Sequence, residues 1–359
     1  MNDSTEQLLD AAVAVRSGET LDLDALDGYL STALPEFTGT LGVEQFPSGF
    51  SNLTYLLSKG GQEFVLRRPP FGAQVKSGHD MQREHTVLSA LAGPYPHAPK
   101  PLALCTDHEV LGCDFYVMER RRGLIVRNAL PKSLRGDPAL FGKMCSTVVD
   151  GLADLHAVDL AETGLDQLDR GPEYVKRQVE GWIRRLERAK TSPLPDFDTV
   201  GHWLGGHMRE DVAHTLIHND YKFDNVMLDP ADPTRIVAVL DWEMCTVGDP
   251  LMDLGTTLGY WTEPGDDPAW QALGLSPTAS PGGLTRAQIA QRYAEKTGRD
   301  VSDVLFYYAF GLLKIGVIVQ QIFFRFAKGH TKDPRFAKLD LVVAALGRMA
   351  TKAIDRGSI

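Results

Sequence analysis

The fold of this chain is decided by the stretch His218-Asn219-Asp220-Tyr221-Lys222-Phe223-Asp224-Asn225. It places a carboxylate, Asp220, a few residues before an amide, Asn225, and a second carboxylate, Asp241, follows further along the chain. In phosphoryl transfer from a nucleotide, an Asp on a short loop accepts the proton of the attacking hydroxyl. An Asn and a later Asp then hold magnesium. The order and spacing of these three side chains predict that chemistry.

The residues around this stretch predict a hairpin. Residues 212–217 are an apolar entry to the loop, Val226–Leu228 a short strand, 229–233 a turn rich in Asp and Pro, and 235–240 a β-branched returning strand. Such a hairpin brings Asn225 and Asp241 to the same end. The spacing D-x-x-x-x-N alone occurs by chance in many proteins, so the strand and the second carboxylate are needed to support the prediction.

Length and composition are those of a globular enzyme. The chain has 359 residues, which favours about two domains, and it is 43% hydrophobic and 23% charged. A formal net charge of −10 argues against nucleic acid as a partner, because binding to a phosphate backbone needs a basic face.

The cysteines and the N-terminus favour a cytoplasmic protein. Cys105, Cys113, Cys145 and Cys245 include no C-x-x-C pair, so neither a zinc site nor a disulfide framework is indicated. They are predicted to be buried thiols in a reducing compartment. The first residues lack the basic start and apolar core of a signal peptide.

One segment is apolar enough to raise the question of a membrane span. Residues 304–324 are almost continuously apolar, but Lys314 lies near the centre and Gln320 and Gln321 follow. These polar groups would be costly in a bilayer, so the segment is predicted to be a buried core helix.

The N-terminal third of the chain predicts a small α+β lobe. Helices are expected over residues 4–16 and Leu23–Ala33, followed by strands over 41–46, 53–57 and 63–67 that form a three-stranded antiparallel meander. A helix over Met81–Leu91, capped by Asp80, and strands at 101–104 and 115–118 complete a domain of residues 1–119.

The remainder, residues 120–359, is predicted to be a mainly helical C-terminal lobe that is interrupted by the hairpin. Helices are expected over 139–157, 173–190, 200–207, 286–296, Val304–Ala327 and 336–354. The expected class is α+β with two lobes, and a nucleotide would lie at the hinge between them.

Together these motifs resemble those of the aminoglycoside phosphotransferase family, also called choline-kinase-like small-molecule kinases. Within that family the chain is similar to the branch fused to acyl-CoA dehydrogenases in some animal proteins. The motifs that carry the resemblance are Ser51-Asn52-Leu53-Thr54-Tyr55, Val65-Leu66-Arg67, Arg83-Glu84-His85, Phe115-Tyr116-Val117-Met118-Glu119, Leu155-His156, His218-Asn219-Asp220, Asp241-Trp242-Glu243 and Gly248-Asp249-Pro250-Leu251-Met252-Asp253-Leu254.

The resemblance implies a protein-kinase-like fold that uses ATP and Mg²⁺, with a small antiparallel-sheet N-lobe and a larger C-lobe. Asp220 would be the catalytic base, and Asn225 and Asp241 the magnesium ligands. Ser48, Gly49, Ser51 and Asn52 resemble the loop over the ATP phosphates. A single glycine leaves no G-x-G-x-x-G pattern, so a plain hairpin turn is an equal alternative.

Arg67 stands where this fold usually has a phosphate-binding lysine, and Glu84 where its helical partner belongs. An arginine can hold phosphate oxygens through two parallel N–H bonds. Arg68 is the adjacent competitor. Arg67 is favoured because strand alternation places it on the same face as Val65 and Glu63; the alternative is a solvent-facing arginine at the strand edge.

Met118, Glu119 and Arg120 resemble the hinge where backbone groups meet the adenine, and the alternative is a strand that joins the lobes without a nucleotide. Trp242 and Glu243 replace the Phe-Gly of protein kinases, which favours a small-molecule kinase without a mobile activation loop.

The histidines are assigned to structure rather than to metal binding. His218 is expected to brace the catalytic loop with the help of Asp253 or Asp249. A metal site formed by His214 and His218 would need a third ligand, and none lies within reach in the sequence. His156, near the end of an apolar helix, is expected to be packed.

The acceptor is less well specified. Glu263, Asp266 and Asp267 would suit a cationic aminoglycoside, whereas Arg177, Arg184 and Arg188 on the helix over 173–190 favour an anionic or CoA-linked hydroxylated small molecule, unless that face is merely solvated. An aminoglycoside 3'-type phosphotransferase and a nucleotide-binding pseudokinase stay open as alternatives, and a protein kinase is disfavoured. No nucleic-acid, membrane or obligate protein partner is expected.

Overall fold

The computed structural model describes residues 11–47, 52–72 and 79–359. Contacts within the chain define two compact units. The first, the sheet unit, holds the described residues up to Ile125 together with Met227–Cys245, and the second, the helical unit, holds Val126–Val226 and Thr246–Ile359.

The sheet unit is built on a five-stranded antiparallel sheet. Its strands lie in the order β1 (Gly42–Gln45), β2 (Leu53–Lys59), β3 (Gln62–Arg68), β5 (Phe115–Glu119) and β4 (Pro101–Cys105). The predicted meander is therefore present as β1–β2–β3. Gly60 and Gly61 make the tight β2–β3 turn at φ +60° and +77°, a backbone region in which side chains other than glycine are strained.

Helices α1 (Leu23–Ala33), α2 (Met81–Leu91) and α3 (His108–Leu111) belong to this unit. Asp22 and Asp80 cap the first two by accepting hydrogen bonds from Ala25 N and Arg83 N. Leu26, Leu57 and Phe115 belong to an apolar core that the helices and the sheet share. The cap at Asp80 and the bounds of α2 are as the sequence predicts.

The helix predicted over residues 4–16 is wrong for residues 11–16, and residues 1–10 lie outside the described chain. Val13 is extended and exchanges two backbone hydrogen bonds of 2.8 Å with Gln45. Strand β1 lies at the edge of the sheet, so the backbone groups along its outer side can pair with another segment. Hydrogen bonding to them outweighs the local helical pattern of residues 11–16.

The predicted hairpin is present. Strands β6 (Leu124–Ile125), β8 (Val226–Leu228) and β9 (Ile236–Val239) form a three-stranded sheet in that order. Asp229 N donates to Arg235 O at 2.9 Å across the turn. Asn225 immediately precedes β8, and Asp241 follows β9.

The helical unit contains most of the helices and a two-stranded ladder of β7 (Thr215–Ile217) and β10 (Thr246–Gly248). Its helices are α4 (Pro138–Leu155), α5 (Leu160–Thr163), α6 (Tyr174–Ala189), α7 (Pro195–Gly206), α8 (Pro250–Tyr260), α9 (Pro268–Leu273), α10 (Arg286–Thr297), α11 (Val304–Ala327) and α12 (Leu339–Arg356). Helix α8 and both short strands were not predicted, and α7 begins earlier than expected, at Pro195.

Helix α11 is long and apolar enough to cross a membrane by length and composition alone, but 78% of its most apolar window is buried inside the protein. It packs against α6, α8 and α12. It crosses α8 so closely that a Cβ added at Gly311 would lie 2.1 Å from the carbonyl oxygen of Gly255. The helix is a core element, as its polar interruptions predict.

Candidate active site

The buried carboxylate of Asp253 holds the loop that follows β7. Asp253 on α8 accepts hydrogen bonds from His218 N at 2.6 Å and Asn219 N at 2.8 Å, and His156 Nε2 lies 3.2 Å away. Burial acts to raise the pKa of Asp253, but the hydrogen bond and charge of His156, with His218 and Lys314, lower it overall. Asp253 therefore braces the loop, while Asp249 caps α8 instead.

Asn219 is held in the left-handed region, at φ +66°, by groups from distant parts of the helical unit. Lys314 Nζ on α11 donates to the Asn219 carbonyl at 2.6 Å and to its side-chain oxygen at 3.1 Å, and Tyr174 OH lies 3.4 Å from the same amide. Burial lowers the pKa of Lys314 to about 8, although Asp253 and Asp220 oppose that shift. Every polar group of Asn219, the residue before Asp220, is therefore held by a hydrogen bond.

Asp220 and Asn225 are brought together on this loop. Asn225 Nδ2 donates to the Asp220 side chain at 3.0 Å and to its carbonyl at 2.8 Å, and Lys222 Nζ donates to the same carboxylate at 2.5 Å. Because the nitrogen of the Asn225 amide is turned toward Asp220, its oxygen is the atom left for a cation. An amide oxygen is a suitable hard ligand for magnesium.

Lys222 and Lys314 are two residues at this loop that the sequence analysis missed. Burial acts to lower the pKa of Lys222, but Asp220 and the Tyr260 oxygen raise it well above its usual value, so the ammonium stays charged. Its position two residues after Asp220 was the available signal. No local pattern links Lys314 to the loop, since 95 positions separate it from Asn219.

The sheet unit brings together Arg67, Glu84 and Asp241. Arg67 Nε lies 3.2 Å from the Glu84 carboxylate, and Arg67 Nη2 lies 3.0 Å from that of Asp241. Burial raises the pKa of Glu84, with Arg67 opposing the shift. The neighbouring Arg68 instead donates to the Pro69 carbonyl and stacks over the Phe71 ring. Arg67 is therefore the arginine that faces the α2 carboxylate.

Asp241 lies at φ +68°, an uncommon conformation for a residue with a side chain, and its side chain is 30% exposed. Two residues later, the Glu243 carboxylate accepts a hydrogen bond from Asn52 Nδ2 at 2.8 Å, and the Asn52 oxygen lies 2.8 Å from His79 Nδ1. Asn52 is thus tied to the segment after Asp241. The other predicted loop residues, Ser48, Gly49 and Ser51, lie outside the described residues.

Met118 and Glu119 end β5, and Arg120 follows it. Met118 pairs with Val65 and Glu119 with Phe64, whereas Arg67 pairs with Tyr116. Met118 and Glu119 therefore follow the partner of Arg67 on β5 by two and three residues. Glu119 N donates to the Lys100 carbonyl at 2.9 Å, and the Arg120 guanidinium stacks 4.7 Å from the Phe46 ring centroid.

Among residues 11–47, 52–72 and 79–359, no cluster of three or more His, Cys, Asp and Glu side chains is arranged to hold a metal ion. The nitrogens of His214 instead face two carboxylates, Asp169 at 2.7 Å and Asp211 at 3.1 Å. The candidate magnesium ligands are a carboxylate and an amide.

Solved structures of known proteins share this fold. A proposed aminoglycoside phosphotransferase from Ralstonia eutropha is 31% identical, with a TM-score of 0.80 over 94% of this chain and 99% of that one. Choline kinase from Cryptosporidium parvum superimposes with a TM-score of 0.63 at 14% identity, over 94% and 97% of the two chains, which shows the fold alone. The protein-kinase-like α+β fold expected from the sequence is confirmed.

The fold, which a solved chain at 31% identity shares, is that of the protein-kinase-like phosphotransferases. The model of the phosphotransferase enzyme family, APH, matches residues 42–288. The chain belongs to that family.

Curated relatives carry this sequence as part of longer proteins. Acyl-CoA dehydrogenase family member 11 of Gallus gallus is 32% identical over 361 residues, which cover 96% of this chain and 45% of that protein. Acyl-CoA dehydrogenase family member 10 of Mus musculus is 30% identical over 89% of this chain and 30% of its own length. The chain therefore spans less than half the length of these relatives.

Proposed function

We propose that this protein transfers the γ-phosphoryl group of ATP, with Mg²⁺, to a hydroxyl group of a small molecule. The observation that carries the proposal is the Asp220 carboxylate, which Lys222 and Asn225 contact on a loop pinned by Asp253 and Lys314. Such a fixed carboxylate can orient a hydroxyl and accept its proton. A solved neighbour of the same fold, an aminoglycoside phosphotransferase, holds ADP and hygromycin B.

The other roles follow from the donor chemistry of each side chain. Asn225 and Asp241 are the proposed magnesium ligands, and the bound ion would neutralise charge on the phosphates. Arg67, kept in place by Glu84, is the proposed phosphate contact in place of the usual lysine. Lys222 stays charged and donates a hydrogen bond to the Asp220 carboxylate, so it fixes the orientation of the proposed proton acceptor.

Backbone and hydroxyl groups complete the proposed nucleotide site. Ser48, Gly49, Ser51 and Asn52 would hold the phosphates, and Met118, Glu119 and Arg120 would contact the adenine.

The acidic residues that would suit an aminoglycoside are already neutralised by arginines of the same unit. Arg286 is buried and contacts Asp266 at 2.9 Å and Glu263 at 3.4 Å, and Arg348 contacts Asp267 at 2.7 Å. A polycationic acceptor would have to displace these guanidinium groups. This favours an anionic or CoA-linked hydroxy compound, as do the acyl-CoA dehydrogenase names of the relatives.

A protein kinase is disfavoured by the short connection after Asp241. The turn Trp242–Met244, strand β10 and helix α8, which begins at Pro250, follow directly. A long activation segment has no place there. A pseudokinase is disfavoured because Asp220, Asn225 and Asp241 are all present.

The proposed compartment is the cytoplasm, where ATP is available and thiols stay reduced. Cys105, Cys113, Cys145 and Cys245 are thiols rather than disulfides, and three of them are buried.

The test is magnesium-dependent ADP formation with a library of hydroxylated metabolites, including hydroxyacyl-CoA thioesters and kanamycin. Asp220→Asn should lower turnover by about 1,000-fold, since it removes the proton acceptor but keeps the shape. Asp232→Asn, in the exposed turn of the β8–β9 hairpin, is the matched control and should leave turnover unchanged. Turnover of kanamycin but not of hydroxyacyl-CoA would overturn the acceptor class, and equal turnover by Asp220→Asn and wild type would overturn the mechanism.

A further inference from the structure

Helix α6 carries more cations than anions, and most of the cations are paired locally. The ion pairs join Lys176 to Glu173 at 3.0 Å, Arg184 to Glu180 at 3.4 Å, and Lys190 to Glu187 at 2.7 Å and Asp198 at 2.6 Å. Arg177 donates to the backbone carbonyls of Gly171 and Pro172. Two of the three arginines predicted to face an anionic acceptor, Arg177 and Arg184, are therefore occupied by their own neighbours.

Arg185 differs from these residues. Its guanidinium stacks on the Trp182 ring, 4.6 Å from the centroid, and among the described residues no carboxylate lies within ion-pair distance of it. Burial, together with Arg184 and Arg188, lowers its pKa. Arg185 is exposed, and the positive charges of Arg184 and Arg188 add to its own, so an anion would be attracted to this part of α6.

Trp182 adds a second donor at the same place. The residue is 7% exposed, and its indole Nε1 is buried without a hydrogen-bond acceptor among the residues that the structure describes. A buried N–H without a partner is costly, and native proteins usually satisfy it with protein, water or ligand.

This pair of donors lies beside the catalytic loop. Lys314 Nζ is 5.9 Å from the Trp182 ring centroid, and the same ammonium donates to Asn219, the residue before Asp220. Lys314 is electrostatically coupled to both Arg185 and Asp220. The Trp182 ring therefore lies close to both Arg185 and Lys314, and Lys314 binds the loop that carries Asp220.

We propose that Trp182 and Arg185 form an anion subsite that holds an acidic group of the acceptor, a carboxylate or a phosphate, while its hydroxyl lies at Asp220. The inference rests on the proposed phosphotransferase function and names the feature that the acceptor must carry. Guanidinium and indole N–H groups bind oxyanions through hydrogen bonds, and Lys314, 5.9 Å from the Trp182 ring centroid, adds positive potential. A neutral or cationic acceptor would gain nothing from these donors.

The test compares two matched pairs of acceptors in the ADP-forming assay. One pair is an ω-hydroxy carboxylate and its amide, and the other is a hydroxyacyl-CoA and the corresponding hydroxyacyl-pantetheine, which lacks the nucleotide phosphates. Arg185→Gln should raise KM for the charged member by about 10- to 100-fold, the size of a lost charge-assisted hydrogen bond. It should leave the neutral member and the KM for ATP unchanged. The pair that responds identifies the acidic group as a carboxylate or a phosphate.

Lys176→Gln removes an exposed cation from the same helix and is the matched control, expected to behave as wild type, and Arg185→Lys should restore part of the lost affinity. An equal loss on charged and neutral acceptors, or an equal effect of Lys176→Gln, would overturn the subsite.

A binding measurement separates failure of the subsite from failure of the proposed function. If wild type forms no ADP with any acceptor, quenching of tryptophan fluorescence by the hydroxy carboxylate or by the hydroxyacyl-CoA still reports on the subsite. The quench should occur with wild type, be lost in Trp182→Phe, weaken at least tenfold in Arg185→Gln, and be absent with the neutral member of the same pair. Equal quenching by the charged and neutral members, or no quenching by either charged member, would overturn the subsite.

Discussion

At the residue scale, a single buried ammonium holds the residue before the proposed base. Charged Lys314 is 2% exposed, so it loses most of its hydration, and it recovers part of that loss by donating to Asn219. The structure thus keeps a cation in its core at the point where loop geometry matters most. Stability and activity should therefore respond in opposite ways when that cation is removed.

We expect Lys314→Met to preserve or increase stability at pH 7 while lowering kcat about 10- to 100-fold, because an unpinned loop presents Asp220 less often. The folded pKa of about 8 lies below the ordinary 10.5, so the unfolded state binds more protons between these values. Wild-type stability should then rise as pH increases from about 8 to 10, by at most about 3 kcal/mol. Urea denaturation of both proteins across that range measures the slope.

Lys352→Met, an exposed lysine on α12, is the control and should keep the wild-type pH dependence. An identical slope in Lys314→Met and wild type would contradict the assignment of the titrating group. A loss of kcat that Lys314→Arg fails to rescue even partly would argue that the side chain fills space rather than pins Asn219.

Arg67 offers a second test at this scale, because its structural and functional roles can be separated. Arg67→Met should destabilise the fold by about 3 kcal/mol, since it leaves the Glu84 carboxylate buried without its partner. The double variant Arg67→Met/Glu84→Leu should regain most of that stability and still show a KM for ATP at least tenfold above wild type. Recovery of ATP affinity along with stability would mean that the pair serves only the fold.

At the element scale, the crossing of α8 and α11 depends on the absence of side chains. Gly311→Ala should cost about 1–3 kcal/mol, because its Cβ would meet the Gly255 carbonyl oxygen at 2.1 Å and backbone cannot yield cheaply. Gly28→Ala, in α1 with open space around it, should instead stabilise by about 0.5–1 kcal/mol. Chemical denaturation of the two variants beside wild type measures the contrast, and a neutral Gly311→Ala would show that the helices can separate.

Elements were predictable from sequence where local signals agree. The alternation of β2 and β3 around Gly60 and Gly61, the cap at Asp80 and the long apolar run of α11 each give the correct element. Val13 was placed in a helix because its neighbours have helical periodicity, whereas its partner Gln45 lies on a distant strand. Pairing between distant segments leaves no mark in the local pattern.

At the scale of the whole molecule, binding of nucleotide should stabilise the folded protein only when magnesium is present. At an ATP concentration 100 times its Kd, linkage gives about 2.7 kcal/mol, a rise in Tm of about 3–4 °C for a chain of 359 residues. EDTA should abolish that rise, and Asp241→Asn should reduce it, because it removes a proposed ligand. Thermal unfolding with ATP, with Mg²⁺ and with both is the measurement, and an equal rise with EDTA present would contradict a magnesium-dependent site.

The candidate site shows the same division between local and distant information. The family resemblance implies the pairing of Arg67 with Glu84, with strand alternation favouring Arg67 over Arg68, and the spacing of the motif predicts that Asp220 and Asn225 share one loop. Lys314 entered the sequence analysis only as an interruption of an apolar helix, and Arg185 not at all as a site residue. Their placement depends on how α6 and α11 pack beside the loop, which residue types alone do not encode.

The bond between Lys314 and Asn219 also sets an order of events on the ribosome. The two residues are 95 positions apart, so at about 5–20 residues per second Lys314 is added to the chain roughly 5–20 seconds after Asn219. During that interval the nascent chain already contains Asp220 but lacks the Lys314 ammonium that holds the neighbouring Asn219. Catalytic competence should therefore be acquired only after α11 has emerged, and a chain released before that point would carry the whole sequence motif without its working geometry.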